Sequence, residues 1–260
     1  MSSARVSYSA CPLCDAKDIA ELLVADCTGH PLYKPALPPR QRWMQCRACG
    51  HVFTDGYFSP AALAVLFSAT QEGQVPGTDA ETQRYVWAKV LDAVQALRPP
   101  PGRWLDVGYG NGALMATAAE YGYTVVGLEL RPESARRMQA LGFEANELEI
   151  LDYRPAEHFD VVSMADVLEH MPFPKPALAR ARELLRPGGL LFLSMPNADA
   201  YLWRALNEAR ANPYWAELEH YHNFGRARLH ALLRESGFEP LRYGVSERYR
   251  ACMEIIARRP

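Results

Sequence analysis

The stretch Trp104-Leu105-Asp106-Val107-Gly108-Tyr109-Gly110-Asn111-Gly112 constrains this chain more than any other. An apolar run ends in an acid, and three glycines follow at alternate positions. Pro99-Pro100-Pro101-Gly102 interrupts the chain just before it, and residues 113–121 read as a helix just after it. Strand, glycine loop and helix, in that order, open a nucleotide-binding α/β unit. The glycines permit a sharp turn and let a ligand approach the backbone where a Cβ would collide. A second apolar run, Tyr123-Thr124-Val125-Val126-Gly127-Leu128, ends in Glu129, 17 residues beyond Gly112. In a βαβ unit an acid there sits beside the glycine loop and can accept hydrogen bonds from both ribose hydroxyls.

The alternation of strand and helix continues. Pro132 suits the first turn of a helix over 133–141. Residues 142–148 form a weak third strand. Glu147 and Leu148 at its end pair an acid for an adenine amino group with an apolar side chain for the ring, and Asp152 competes for the first role. Residues 159–165 are the fourth strand. Asp166-Val167-Leu168-Glu169-His170 leave its carboxyl end, where open α/β sheets bind ligands. A helix over 176–185, a turn at Arg186-Pro187-Gly188-Gly189 and a fifth strand over 190–195 follow. Residues 197–212 and 226–236 read as helices, and 238–245 with 248–257 as a closing antiparallel hairpin. Upstream, Val86, Val90, Ala93, Val94 and Leu97 recur at helical spacing over 80–98.

The first seventy residues follow a different logic. Cys11-Pro12-Leu13-Cys14 and Cys46-Arg47-Ala48-Cys49-Gly50 are two Cys-x-x-Cys knuckles. Each short loop aims two sulfurs at one point, so four thiolates can close a tetrahedral zinc site. Neither pair opens a helix in a βαβ setting, which argues against a redox dithiol. Cys27, His30 and His51 are bystanders on this reading. Residues 41–45 and 51–54 look like ribbon strands, and 61–67 like a short helix. A polar, Gly/Pro-bearing stretch at 73–79 separates a zinc module (1–72) from an α/β domain (80–260). A chain of 260 residues has room for both. Net charge is −2, which gives no global electrostatic argument for nucleic acid or anionic membrane. No apolar run approaches the ~20 residues of a membrane span. The first ten residues carry no apolar signal segment, so the expected compartment is the cytoplasm.

In order, Asp106–Gly112 as spelled above, Glu129, Phe159-Asp160-Val161-Val162, Leu168-Glu169-His170 and Leu185-Arg186-Pro187-Gly188-Gly189 resemble the motifs of class I S-adenosylmethionine-dependent methyltransferases. The resemblance covers roughly residues 80–258. It implies a Rossmann-like seven-stranded sheet flanked by helices, with the zinc-ribbon-like module preceding it. It implies S-adenosylmethionine as cofactor, held by Asp106, Gly108, Tyr109, Gly110, Gly112, Glu129, Leu130, Glu147, Leu148, Ala165, Asp166 and His170. Tyr109 departs from the small residue the family often has there. A dinucleotide dehydrogenase is the rival, because Gly108 to Ala113 fits Gly-x-Gly-x-x-Ala. Asp106 argues against it: an acid two residues before the first glycine repels a pyrophosphate and suits an ammonium and a sulfonium.

Methyl transfer to a hydroxyl needs an aligned acceptor, exclusion of water and removal of a proton. The cluster Glu217-Leu218-Glu219-His220-Tyr221-His222-Asn223-Phe224 supplies the candidates: His220 first as base, then His222 and His170, with Glu219 orienting an imidazole or an acceptor hydroxyl. Glu169 and His170, with Asp166, could instead hold a divalent cation, as resembling groups do among ubiquinone-pathway O-methyltransferases. The four-cysteine module joined to this core also resembles sugar C-methyltransferases. Those enzymes carry a further C-terminal domain, and Glu217 stands where their pattern has Tyr. The expected acceptor is a small, polar, hydroxylated molecule (a sugar, a polysaccharide precursor or a secondary metabolite), with no nucleic acid or membrane partner. A homodimer is one option for assembly. An rRNA or tRNA methyltransferase gripping RNA through its zinc module, and a non-catalytic donor-binding protein, are the alternatives.

Overall fold

The computed structural model describes residues 4–68, 72–249 and 251–260. In chain order the first elements are β1 (Arg5–Ser7), β2 (Ile19–Asp26), β3 (Arg40–Cys46), β4 (Val52–Thr54), β5 (Gly56–Phe58) and α1 (Pro60–Leu66). Then follow α2 (Ala80–Gln95), β6 (Gly102–Val107), α3 (Ala113–Glu120), β7 (Tyr123–Leu128), α4 (Pro132–Ala140), β8 (Glu144–Asn146), β9 (Phe159–Ala165), α5 (Pro174–Leu184) and β10 (Leu185–Pro196). The last are α6 (Tyr201–Glu208), β11 (His222–Asn223), α7 (Arg226–Glu235), β12 (Glu239–Val245) and β13 (Cys252–Arg258). Among the described residues no helix is long and apolar enough to cross a membrane.

Two compact units divide the chain. The larger comprises Glu72–Leu168, Lys175–Met195 and Leu233–Pro260. Its seven-stranded sheet runs β12-β13-β10-β9-β6-β7-β8. Strands β10, β9, β6, β7 and β8 pair in parallel, and β12 pairs antiparallel with β13. The central strands are mostly apolar because they are buried on both faces; β9 is buried at every position but its last, Asp160 and Ser163 included. Trp87, Val90, Leu91 and Val94 of α2 are buried together with Trp104, Met115 and Phe192. The stripe is rotated from the one the periodicity suggests. Trp87 and Leu91 are 4% and 0% exposed, whereas Leu97 lies beyond the helix and is 46% exposed. The large indole outweighs two smaller side chains. The expected fifth strand is longer than its apolar run: β10 starts at Leu185, and a bulge carries Arg186 to Gly189 before the regular register resumes at Leu190.

The smaller unit joins the described residues up to 68 to Glu169–Pro174 and Pro196–Leu232. A four-stranded antiparallel sheet, β11-β4-β3-β2, sits beside the β1–β5 pair. Its core gathers Cys27, Leu32, Leu37, Phe58, Ala62, Leu66, Leu218 and Tyr221. Ser59 caps α1 by accepting the Ala62 N–H, and Pro60 fills the first turn. The helix expected over 197–212 is confined to α6. Asn197 turns the chain first, accepting the Asp199 N–H at 3.0 Å, and Arg210 ends it in the left-handed region at φ 52°.

Candidate functional site

In the larger unit, β6 delivers Asp106 and then three glycines at positive φ: 66° at Gly108, 57° at Gly110 and 75° at Gly112. A side chain is strained at such angles. A Cβ on Gly108 would stand 2.6 Å from Val167 Cγ2, whereas one on Gly110 would meet nothing within 4 Å. The loop therefore presents open backbone at Gly110. Glu129, just past β7, is 7% exposed. Its Oε2 accepts the Gly110 N–H at 3.3 Å, and its Oε1 accepts the Leu130 and Arg131 N–H groups at 2.9 and 3.2 Å. A carboxylate offers about four acceptor positions, and three are taken, so this one is fixed in place with about one position, on Oε2, left for a ligand hydroxyl.

Asp106 is 2% exposed, and its Oδ1 accepts from the Ser163 hydroxyl at 2.6 Å. Burial pushes its pKa up to about 7, against the pull of the Ser163 hydrogen bond and of Arg248. Tyr109 turns into the core rather than away from it. A Cβ on Gly127 would stand 2.5 Å from Tyr109 Cδ1, so the glycine in β7 makes room for the ring. This accounts for an aromatic where the family often has a small residue. Asp166 has φ 54° and is held twice by Ser194, its N–H donating to the carbonyl at 2.8 Å and its Oδ1 accepting from the hydroxyl at 2.9 Å. Its other oxygen lies 2.8 Å from Arg248 Nη1. Arg248 in turn stacks on Trp87 at 4.3 Å. Sequence reading had no signal for this arginine, which sits after β12. Ala165 ends β9, half-buried, while Leu130, Glu147 and Leu148 are exposed. The Glu129 N–H donates to the Asn146 carbonyl at 3.1 Å, which sets Glu147 directly after a strand-end contact.

In the smaller unit the two knuckles meet. Cys11 and Cys49 sulfurs are 3.7 Å apart, Cys14 and Cys46 sulfurs 3.5 Å, and all four lie within 4.8 Å of one another. Zinc–sulfur bonds of ~2.3 Å require sulfur–sulfur edges of ~3.8 Å in a tetrahedron, so the set fits zinc. Each knuckle closes a turn, with Asp15 N–H donating to the Cys11 carbonyl and Gly50 N–H to the Cys46 carbonyl. Cys27, His30 and His51 stand outside the cluster: His30 Nε2 is 2.9 Å from Glu217 Oε2, and His51 faces His222.

The histidines of the 217–224 segment divide. His220 and His170 cross edge-to-face at 4.6 Å, and with Glu169 they form a second group of ligand atoms within 4.8 Å. His170 Nδ1 donates to the Glu219 carbonyl at 3.0 Å, which fixes the orientation of the ring. His220 is 8% exposed and its Nδ1 has no hydrogen-bond partner among the described residues. Burial, then the neighbouring imidazoles, hold its pKa well below the usual histidine range. His222 is different. Its Nδ1 meets His51 Nε2 at 3.0 Å and its Nε2 meets the Met171 carbonyl at 2.9 Å, so both ring nitrogens are engaged. Asp166 belongs to the larger unit with Arg248, and His220 takes the third place beside Glu169 and His170.

Residues 80–243 match the family model described as a methyltransferase domain. The ubiquinone biosynthesis O-methyltransferase of Nitrosococcus oceani is 35% identical over 171 residues, covering 59% of this chain and 72% of that one. Its counterpart from Xanthomonas axonopodis pv. citri is 35% identical over 164 residues, covering 57% and 68%. Among solved structures, the 1,6-didemethyltoxoflavin N1-methyltransferase of Burkholderia thailandensis, with S-adenosylhomocysteine bound, superposes with a TM-score of 0.59 at 21% identity, over 80% of this chain and 95% of that one. The glycine loop with its buried acid, the clamped Glu129 and these kinships converge: the chain belongs to the methyltransferase-domain family and is an S-adenosylmethionine-dependent methyltransferase.

Proposed function

We propose that the chain methylates a hydroxyl of a small polar acceptor and carries one structural zinc on Cys11, Cys14, Cys46 and Cys49. The observation that supports the acceptor chemistry is His220 Nδ1, buried and unpartnered among the described residues. A hydroxyl must lose its proton as the new bond forms, whereas an amine arrives with a lone pair in hand. An imidazole kept neutral by burial is ready to accept that proton. His170 is oriented by the Glu219 carbonyl, and its edge-on contact steadies the His220 ring. The relatives' name, O-methyltransferase, points the same way.

The donor's residues fit the group the family uses. Open backbone at Gly110 admits a ligand close to the loop, Glu129 can take a ribose hydroxyl, and Asp106 faces a cation more readily than a phosphate. When bound, S-adenosylmethionine supplies a methyl carbon already activated by its sulfonium. Leu130, Glu147, Leu148, Ala165 and Asp166 complete the proposed donor set within the larger unit, whereas His170 stands in the smaller one with His220. The test is label transfer from the donor to a panel of hydroxylated and amino acceptors. Transfer to amines alone, or to total RNA alone, would sink the hydroxyl reading. A second reading has Glu169, His170 and His220 binding a divalent cation. Turnover that survives exhaustive chelation with zinc retained would remove it.

A further inference from the structure

Strand β3 carries an amide where its pattern calls for a hydrocarbon. Along Arg40–Cys46 the buried positions are Gln41, Trp43 and Cys46. Residues two apart in a strand share a face, so Gln41 and Trp43 point the same way. Trp43 is 0% exposed, and its Nε1 donates to the Trp215 carbonyl at 2.8 Å. Gln41 is 0% exposed as well. A buried amide is destabilising unless its polar atoms are answered.

Here both are. Arg5, which can only donate, places Nη2 on Gln41 Oε1. That decides which end of the amide is oxygen. The Nε2 end faces two carbonyls, Glu217 at 2.9 Å and His220 at 3.2 Å, and has one hydrogen for each. Arg5 is itself anchored, with Nη1 on the Gly56 carbonyl at 2.8 Å and its guanidinium over the Phe58 ring at 4.4 Å.

The two carbonyls belong to one turn. The His220 N–H donates to the Glu217 carbonyl at 3.2 Å, so Gln41 spans the first and last residues of that turn. The peptide unit after His220 is held at both polar atoms. Gln41 takes its carbonyl, and its N–H, that of Tyr221, donates to the Glu169 carbonyl at 2.9 Å. The preceding carbonyl, of Glu219, accepts from His170 Nδ1 at 3.0 Å. The main chain of His220 is thus pinned on every side, while Nδ1 of its ring has no hydrogen bond among the described residues. The ring takes its direction from the main chain and from the edge contact with His170 at 4.6 Å. All of these groups lie in the smaller unit.

We propose that Gln41 is a positioning residue for His220, so that the strand ending in Cys46 serves methyl transfer by aiming the base. This rests on the reading of His220 as that base. A base must stand within ~2.6–3.2 Å of the proton it takes, and a displacement of about 1 Å can cost on the order of a hundredfold in rate. The turn that carries His220 is tied through Gln41 to a strand whose far end belongs to the thiolate cluster.

Gln41→Met keeps the length of the side chain and deletes its three hydrogen bonds. Trp43→Phe is the comparison, because it deletes a hydrogen bond from the same strand to Trp215, just ahead of the turn. The first readout is the ring resonance of His220 in the full, zinc-loaded, histidine-labelled chain, identified as the one lost in His220→Ala. Gln41→Met should shift and broaden it while the resonances of His51 and His222, which hold each other, stay in place. Trp43→Phe should leave it where it is. The second readout is methylation of the hydroxylated compound that the acceptor panel selects. In Gln41→Met kcat should fall about 10–100-fold with S-adenosylhomocysteine affinity unchanged, and in Trp43→Phe by no more than about twofold. A folded Gln41→Met protein that keeps either the parent resonance or the parent kcat overturns the assignment, as does an equal loss in Trp43→Phe. Should Gln41→Met fail to fold, Gln41→Glu keeps the length, gives Arg5 a carboxylate and must show the same displaced resonance. Failure of both to fold makes Gln41 a folding residue and also overturns it. Full turnover in His220→Ala would strike the base reading, and the resonance tells the two failures apart: displaced in Gln41→Met, the clamp stands; unmoved, it falls.

Discussion

The two units hold their chemistry in opposite ways. In the larger one, recognition is built from consecutive residues: Asp106, Gly108, Gly110 and Gly112 occupy one turn, and Glu129 is clamped by backbone N–H groups of the same edge. In the smaller one every chemical group is assembled from distant chain segments. Cys11 meets Cys49, His51 meets His222, and Glu169 meets His220. Backbone recognition survives side-chain change. Assembled recognition depends on the fold that assembles it, and lacks any local substitute.

The widest separation between the two should come from the cysteines. Elemental analysis of the parent is expected to find about one zinc per chain, and Cys11→Ser or Cys49→Ser to abolish it and leave the protein largely insoluble. Zinc binding by four thiolates is worth on the order of 10 kcal/mol, and in small modules that energy is folding energy. If soluble variant is recovered, it should still bind S-adenosylhomocysteine, because the glycine loop needs nothing from the knuckles. Unaltered melting temperature in the variants would erase the contrast.

His220→Ala comes next. The expected loss of turnover is roughly 10²–10⁴-fold, the usual worth of a general base, with donor affinity unchanged. His222→Ala is the informative partner: with both nitrogens hydrogen-bonded inside the unit, it should lower stability and affect turnover only through folding. A soluble, stable His220→Ala enzyme with full turnover would return the role to another group.

That difference in construction also governs what could be read from the residues alone. The parallel sheet is legible because β6, β7, β9 and β10 are largely apolar segments, with few polar residues such as Asp160 and Ser163, punctuated by glycines at positive φ. The cysteine cluster is legible because two short knuckles announce it. Strand β2 is not, since it turns Leu22 and Val24 to solvent at 44% exposure each and so lacks the alternation of a half-buried strand. Strand β11 has two residues and pairs His222 with Phe53, a contact that leaves no periodicity in either segment. Residue chemistry alone singled out the 217–224 segment, but not the division of labour within it. His220 and His222 are two apart and alike in composition, and only the Met171 carbonyl and the His51 ring separate them. Arg248 was invisible for the same reason: its partner Asp166 is 82 positions away.

Within the larger unit Glu129→Ala should weaken S-adenosylhomocysteine binding by roughly 10–100-fold, the loss of one hydrogen bond to a charged acceptor. Melting temperature should change little, because Gly110, Leu130 and Arg131 N–H groups lie at a loop edge that water can reach once the carboxylate is gone. Glu129→Gln keeps one acceptor oxygen and should fall between the two. If Glu129→Ala bound the donor product as tightly as the parent, recognition in this unit would not rest on the clamped acid.

The smallest effect is also the one that asks how far backbone recognition needs a charge. Burial raises the Asp106 pKa to about 7, so near neutrality the free protein holds a substantial fraction of this acid protonated. For folding, the sign follows from the raised value: the favourable contribution is complete below the unfolded carboxylate range and is lost as pH climbs through about 7. For donor binding the sign reverses, because a cationic ligand prefers the carboxylate. Affinity for S-adenosylmethionine should therefore climb from about pH 5.5 and level off above about pH 7.5, by at most tenfold per unit. S-adenosylhomocysteine, which keeps the ammonium and lacks the sulfonium, should climb less steeply. Asp106→Asn retains an acceptor for the Ser163 hydroxyl and should flatten both curves. A parent enzyme with two flat curves would mean that the glycine loop recognises its ligand by backbone and Glu129 alone, with the buried acid serving only to hold Ser163.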